Sequence, residues 1–152
     1  MEEKNPVKDI VNITNKWENR LSWNDYFMSL AFLASSRSPC SRLHVGCVLV
    51  KDNRVMSMGY NGFLPKAPHE SCIRDNHEQA IVHSEQNAVC HAARNGINIH
   101  NSTAYITHYP CINCTKVLCS SGIHKIYYHL NYKNDELVDK ILSGANIEIK
   151  QI

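Results

Sequence analysis

Apolar positions along the chain keep two rhythms, and the switches between them mark its elements. Ser22-Trp23-Asn24-Asp25 reads as a helix start, with Ser22 as N-cap and Asp25 in the first turn. Trp23, Tyr26, Phe27, Leu30, Ala31 and Ala34 then recur at helical spacing, which predicts an amphipathic helix whose aromatic stripe packs in the core, and Ser38-Pro39 stops it. Val45 to Val50 is an apolar run of strand length, Lys51-Asp52-Asn53 a turn, and Arg54 to Gly59 a second strand, so this segment predicts a hairpin. Tyr60 to Asn76 holds Gly62, Pro65 and Pro68 without a period and predicts a long loop. A central helix runs from near His83 to Asn95, with Ala88, Val89, Ala92 and Ala93 inward and Gly96 as its stop. Further on come a strand at Thr103 to Thr107, a helix at Cys111 to Ser121 ended by Gly122, and a strand at Lys125 to His129. Asp135 to Ser143 predicts a helix with Leu137, Val138, Ile141 and Leu142 inside, and Ile147 to Ile149 a last strand.

Strands alternating with helices after an initial hairpin predict an α/β fold: a mixed five-stranded sheet covered by helices on both faces, three layers in all. Met1 to Arg20 stands apart as polar, with a thin apolar set of Val7, Ile10, Val11, Ile13 and Trp17. It reads either as a frayed helix or as an arm that packs on a neighbour, leaving residues 21–152 as one domain. The 152 residues suffice for a substantial core. A formal net charge of +2 is too small for a surface that coats nucleic acid, whereas small anionic ligands remain compatible. Met1 to Lys8 lacks the apolar core of a secretory signal, and no apolar run nears the roughly 20 residues that span a bilayer. The expected setting is therefore cytoplasmic. Seven cysteines, an odd number without an export signal, favour thiols and metal ligands over disulfides. Cys47, Cys90 and Cys119 fall inside predicted elements and read as buried small hydrophobes.

The chemistry concentrates in His83-Ser84-Glu85 and Pro110-Cys111-Ile112-Asn113-Cys114. One imidazole and two thiolates make three ligands for a tetrahedral Zn²⁺ and leave a fourth position for water, as in catalytic sites. Glu85, two residues from His83, is a carboxylate able to collect and redeliver a proton. Both ligand segments fall at predicted helix starts, where free N–H groups and the dipole favour thiolates. A second set of soft or borderline ligands, Cys40, His69, Cys72 and His77, flanks the hairpin and would close a structural Zn²⁺ site if the loop folded back. Arg42 and His44, just before the first strand, are candidates for holding a phosphate. Tyr128 is a weaker one, since a strand tyrosine more often packs.

His-x-Glu followed by Pro-Cys-x-x-Cys is the signature of the zinc deaminases. With Arg42-Leu43-His44-Val45-Gly46, Gly59-Tyr60-Asn61-Gly62-Phe63 and Thr107-His108-Tyr109-Pro110-Cys111 beside it, the chain resembles the deoxycytidylate (dCMP) deaminases of the zinc-dependent cytidine deaminase superfamily over roughly Ser22 to Ile149. The resemblance implies a cytidine deaminase-like fold, with His83, Cys111 and Cys114 on zinc and Glu85 as proton shuttle. The implied reaction takes dCMP to dUMP and ammonia, supplying dUMP for thymidylate synthesis. It also implies activation by dCTP, inhibition by dTTP, a homohexamer, and Asn61-Gly62 near the sugar or an effector. Asn61 reads equally well as a turn residue before Gly62. Ser84 departs from the pattern, which usually has alanine there. Competing readings are a deaminase of dCTP or of a base in nucleic acid, which would need a basic, aromatic approach surface, and a zinc-stabilised scaffold without catalysis.

Overall fold

A computed structural model describes residues 5–152. In chain order the elements are α1 (Pro6–Thr14), α2 (Trp23–Ser35), β1 (Gly46–Lys51), β2 (Arg54–Tyr60), β3 (Gly62–Phe63), β4 (Ile73–Arg74), β5 (His77–Glu78) and β6 (Ile81–Val82). They continue with α3 (Ser84–Arg94), β7 (Thr103–His108), α4 (Ile112–Ser120), β8 (Lys125–Leu130), α5 (Glu136–Gly144) and β9 (Glu148–Gln151). The main sheet has five strands in the order β2-β1-β7-β8-β9. The β1 strand runs antiparallel to both β2 and β7, whereas β7, β8 and β9 are mutually parallel, so the sheet is mixed as expected.

The period of two along the central strands sorts the core into two layers. Cys47 and Leu49 of β1 and Ala104 and Ile106 of β7 face the cluster completed by Ala88, Leu118, Val138 and Leu142 of α3, α4 and α5. Val48, Val50 and Tyr105 face the other way, onto Phe27, Met28 and Ala31 of α2. A strand covered on both faces has no polar side, which is why the β1 sequence reads as an unbroken apolar run. The β1–β2 hairpin closes through Asp52 and Asn53 at φ 51° and 55°, the left-handed pair that a tight two-residue turn requires.

Several expectations change. The segment 60–76 is not uniformly irregular: β3 pairs with β6 and β4 with β5, each pair only two residues long, too short to show a period. Trp23 and Tyr26 are 47% and 43% exposed; Trp23 stacks on buried Phe27 at 5.5 Å and forms the outer layer of the stripe. Met28 takes the inner place instead. Leu137, at the second helical position of α5, points outward while Val138 and Leu142 are buried. In α3 the buried stripe is Ser84, Glu85, Ala88 and Ala92, and Ala93 lies outside it. Cys90 is exposed and Cys119 half-buried, leaving Cys47 as the buried thiol of that trio. The α1 helix forms with Asn5 as N-cap and buries none of its residues, so its apolar positions stay open within one chain.

Candidate metal centre and cleft

Two of the three candidate metal ligands are cap residues, and the third, Cys114, lies in the first turn of α4. His83 is the N-cap of α3, its N–H donated to Gln86 Oε1 at 3.2 Å. Cys111 is the N-cap of α4, its Sγ accepting the N–H of Cys114 at 3.5 Å. Pro110 precedes that cap in the core, and Tyr109 anchors the approach by donating its hydroxyl to Asp139 Oδ1 of α5 at 2.9 Å. Two helix starts therefore converge on one point, and Nδ1 of His83 lies 3.6 Å from Cys111 Sγ and 3.4 Å from Cys114 Sγ. With Zn–N of about 2.0–2.1 Å and Zn–S of about 2.3 Å, tetrahedral angles put the nitrogen roughly 3.5 Å from each sulfur. The donor set fits Zn²⁺ in chemistry and in spacing. Among the described residues this is the one group of three or more such side chains whose ligand atoms all lie within 4.8 Å of one another.

The electrostatics agree. The Cys111 thiol is drawn down to about 4, chiefly by the hydrogen bond from Cys114, with His83 and the Cys114 N–H adding to it. That same bond, and burial, push Cys114 up. His83 is raised, mainly by its contact with Cys111. A cation held by His83, Cys111 and Cys114 would take the place of these shared protons. Glu85, 4% exposed, is raised by burial, against the partial relief of bonds that include the Ser84 hydroxyl. Its place is set by β2: a Cβ at Gly59 would stand 2.4 Å from the Ser84 carbonyl oxygen and 2.6 Å from the Ala88 nitrogen, so only glycine lets the strand lie this close to the first turn of α3.

A cleft of about 220 Å³ opens onto these groups. Arg42 lines it, its guanidinium donating to the Asn76 carbonyl at 3.4 Å. Asn61 lines it too, but its amide is engaged: Oδ1 accepts from the Val45 N–H and Nδ2 donates to the Leu43 carbonyl, both at 2.8 Å. It is thus a clamp on the segment before β1, in β-pairing surroundings instead of a glycine turn. Gly62 sits buried in β3, opposite Val82, and His44 is exposed; neither lines the cleft. Tyr128 packs on the core, edge-on to Tyr109 with ring centroids 5.0 Å apart, which is the packing role.

Cys40, His69, Cys72 and His77 do not gather into a second group. Cys40 and His77 line the cleft, while His69 stacks on Phe63 at 4.9 Å and Cys72 is exposed. The β4–β5 hairpin is organised by Glu78 instead, whose carboxylate accepts from the Ser71 hydroxyl and from the N–H groups of Cys72 and Ala80. These bonds hold the Glu78 carboxyl below its ordinary range.

Three further residues that the sequence did not single out line the cleft rim: His108, Tyr132 and Lys133. Thr107 Oγ1 accepts from the Gly46 N–H at 3.1 Å, which leaves its own hydrogen for His108 Nδ1 at 2.8 Å. That assignment gives His108 the Nε2–H tautomer, a neutral donor, and burial keeps its pKa low. Lys133 lies with Nζ 5.6 Å from the Tyr132 ring centroid, and Tyr132 meets His108 edge-on.

Residues 21–130 match the family described as "Cytidine and deoxycytidylate deaminase zinc-binding region". The chain is 36% identical over 137 residues to ComE operon protein 2 of Bacillus subtilis, covering 88% of this chain and 72% of that one. It is 37% identical over 142 residues to deoxycytidylate deaminase of Saccharomyces cerevisiae, covering 87% of this chain but 45% of the yeast protein, so it spans about half of that relative. In structure it is similar to the dCMP deaminase of cyanophage S-TIM5 in complex with dCMP and dUMP. The TM-score is 0.78 at 28% identity, over 89% of this chain and all of that one (100%).

Proposed function

The chain belongs to the cytidine and deoxycytidylate deaminase family, and from that membership we propose that it hydrolyses dCMP to dUMP and ammonia. The observation that carries the reading is the convergence of His83 Nδ1 with two sulfurs at 3.4 and 3.6 Å, beside a buried carboxylate in one cleft. Zn²⁺ held by His83, Cys111 and Cys114 would supply Lewis acidity and a bound water of lowered pKa. Glu85 does the proton work: it takes a proton from the attacking water, delivers one to N3 of cytosine, and carries another to the amine as the C4–N bond breaks. One group serving both halves suits a carboxyl whose burial raises its proton affinity above the ordinary carboxylate range. His108 offers a neutral N–H to the substrate, and Arg42 and Lys133 supply the cations that meet the 5′-phosphate.

The wider reading adds dUMP supply for thymidylate synthesis, activation by dCTP, inhibition by dTTP and self-association into a homo-oligomer. The names of the relatives support the nucleotide chemistry alone. Ammonia release and loss of cytosine absorbance from dCMP, dCTP and cytidine, each with and without dCTP or dTTP, test the reading directly. Turnover is expected with dCMP, and Glu85→Ala is expected to lose about 10²–10⁴ in rate at unchanged zinc content. Full zinc occupancy with no turnover of any nucleotide overturns it.

A further inference from the structure

Ser84 is fully buried, 0% exposed, one residue before Glu85 in the first turn of α3. Its hydroxyl lies 2.9 Å from Oε2 of Glu85. An ionised carboxylate only accepts, so the hydroxyl donates. This is its hydrogen bond among the described residues, and the backbone that carries it is pinned by the close approach of Gly59. We propose that Ser84 is a positioning residue, holding Oε2 of Glu85 so that Oε1 is the oxygen presented to the reacting atoms. The proposal rests on the deaminase reading above.

The physical need is orientational. The last torsion of a glutamate is broad and roughly two-fold, so an unheld carboxylate turns either oxygen toward the substrate in several planes. A charge-assisted bond to a rigid donor fixes that plane. The same bond survives the reaction: when Oε1 gains a proton, Oε2 becomes the carbonyl oxygen and still accepts from Ser84. The anchor therefore serves the ionised and the protonated shuttle alike, and the proton travels on the other oxygen in both directions. Alanine at this position would keep the helix and remove this one bond, leaving the carboxylate the bond from its own backbone N–H.

Ser84→Ala, at full zinc occupancy and unchanged melting temperature, is expected to lower kcat for dCMP about tenfold with KM held within about twofold. Ser84→Thr, which keeps a hydroxyl, is expected to stay closer to wild type than alanine does. An independent readout needs no substrate: the infrared carboxylate band of Glu85, identified by its loss in Glu85→Gln, is expected to move in Ser84→Ala. A kcat in Ser84→Ala within about twofold of wild type overturns the proposal whether or not the band moves. Equal losses in alanine and threonine variants that track lowered melting temperatures overturn it as well, since that pattern is packing alone. If the wild type turns over no nucleotide the deaminase reading fails, while the infrared comparison still decides whether Ser84 holds the carboxylate.

Discussion

Lys133 stands at the cleft rim on a left-handed backbone, φ 46°, a conformation that places its ammonium beside Tyr132. On the proposed reading, removing that cation would weaken the grip on the substrate's phosphate and leave the ring chemistry alone. Lys133→Ala is therefore expected to raise KM for dCMP about tenfold with little change in kcat, and to leave turnover of the phosphate-free nucleoside unaffected; steady-state kinetics on both substrates measure it. Nothing in the sequence singled this lysine out. It follows β8, and it reaches the cleft only because β8 adds in parallel beside β7, a tertiary fact without a local pattern. His83, Cys111 and Cys114 were legible for the opposite reason: each sits within a helix start whose caps and spacing are written over a few neighbouring residues. The Ser84 to Glu85 bond lies between these cases, visible as adjacency in the chain and as chemistry only in three dimensions.

At the scale of elements, the hairpin of β4 and β5 is built around one carboxylate. Glu78 collects three donors, and its depressed pKa means that the stabilisation is present above the unfolded carboxylate range and lost as pH falls through the lower folded value. Glu78→Gln at neutral pH is expected to speed amide exchange at Cys72 and Ala80 and to raise KM for dCMP with kcat nearly constant, because His77 and Glu78 line the cleft. Unchanged exchange at both amides would show that the hairpin is held by other means. The sequence marked this segment only as irregular, since two-residue strands are shorter than any period. The helices were easier to read, apart from which flank of each stripe goes in: Leu137 and Ala93 satisfy the spacing of an inner face, yet neighbouring elements cover Val138 and Ala92.

For the whole molecule, stability resides in the two core layers and little of it in surface charge. Leu142→Ala, 1% exposed in the wild type, is expected to cost about 2–5 kcal/mol. Breaking the Lys125–Glu148 pair, 3.0 Å apart with Glu148 largely in solvent, should cost less than about 1 kcal/mol. Denaturant unfolding of Leu142→Ala and Glu148→Gln compares them, and equal losses would contradict this division. The order of the sheet, β2-β1-β7-β8-β9, also has a meaning in time. After the first hairpin, β7 joins the free edge of β1, and β8 and β9 each join the strand made before them, so no strand has to be threaded into a gap. His83, Cys111 and Cys114 all precede β8 and β9 in the chain, so the whole candidate ligand set is laid down on elements made before the last two strands.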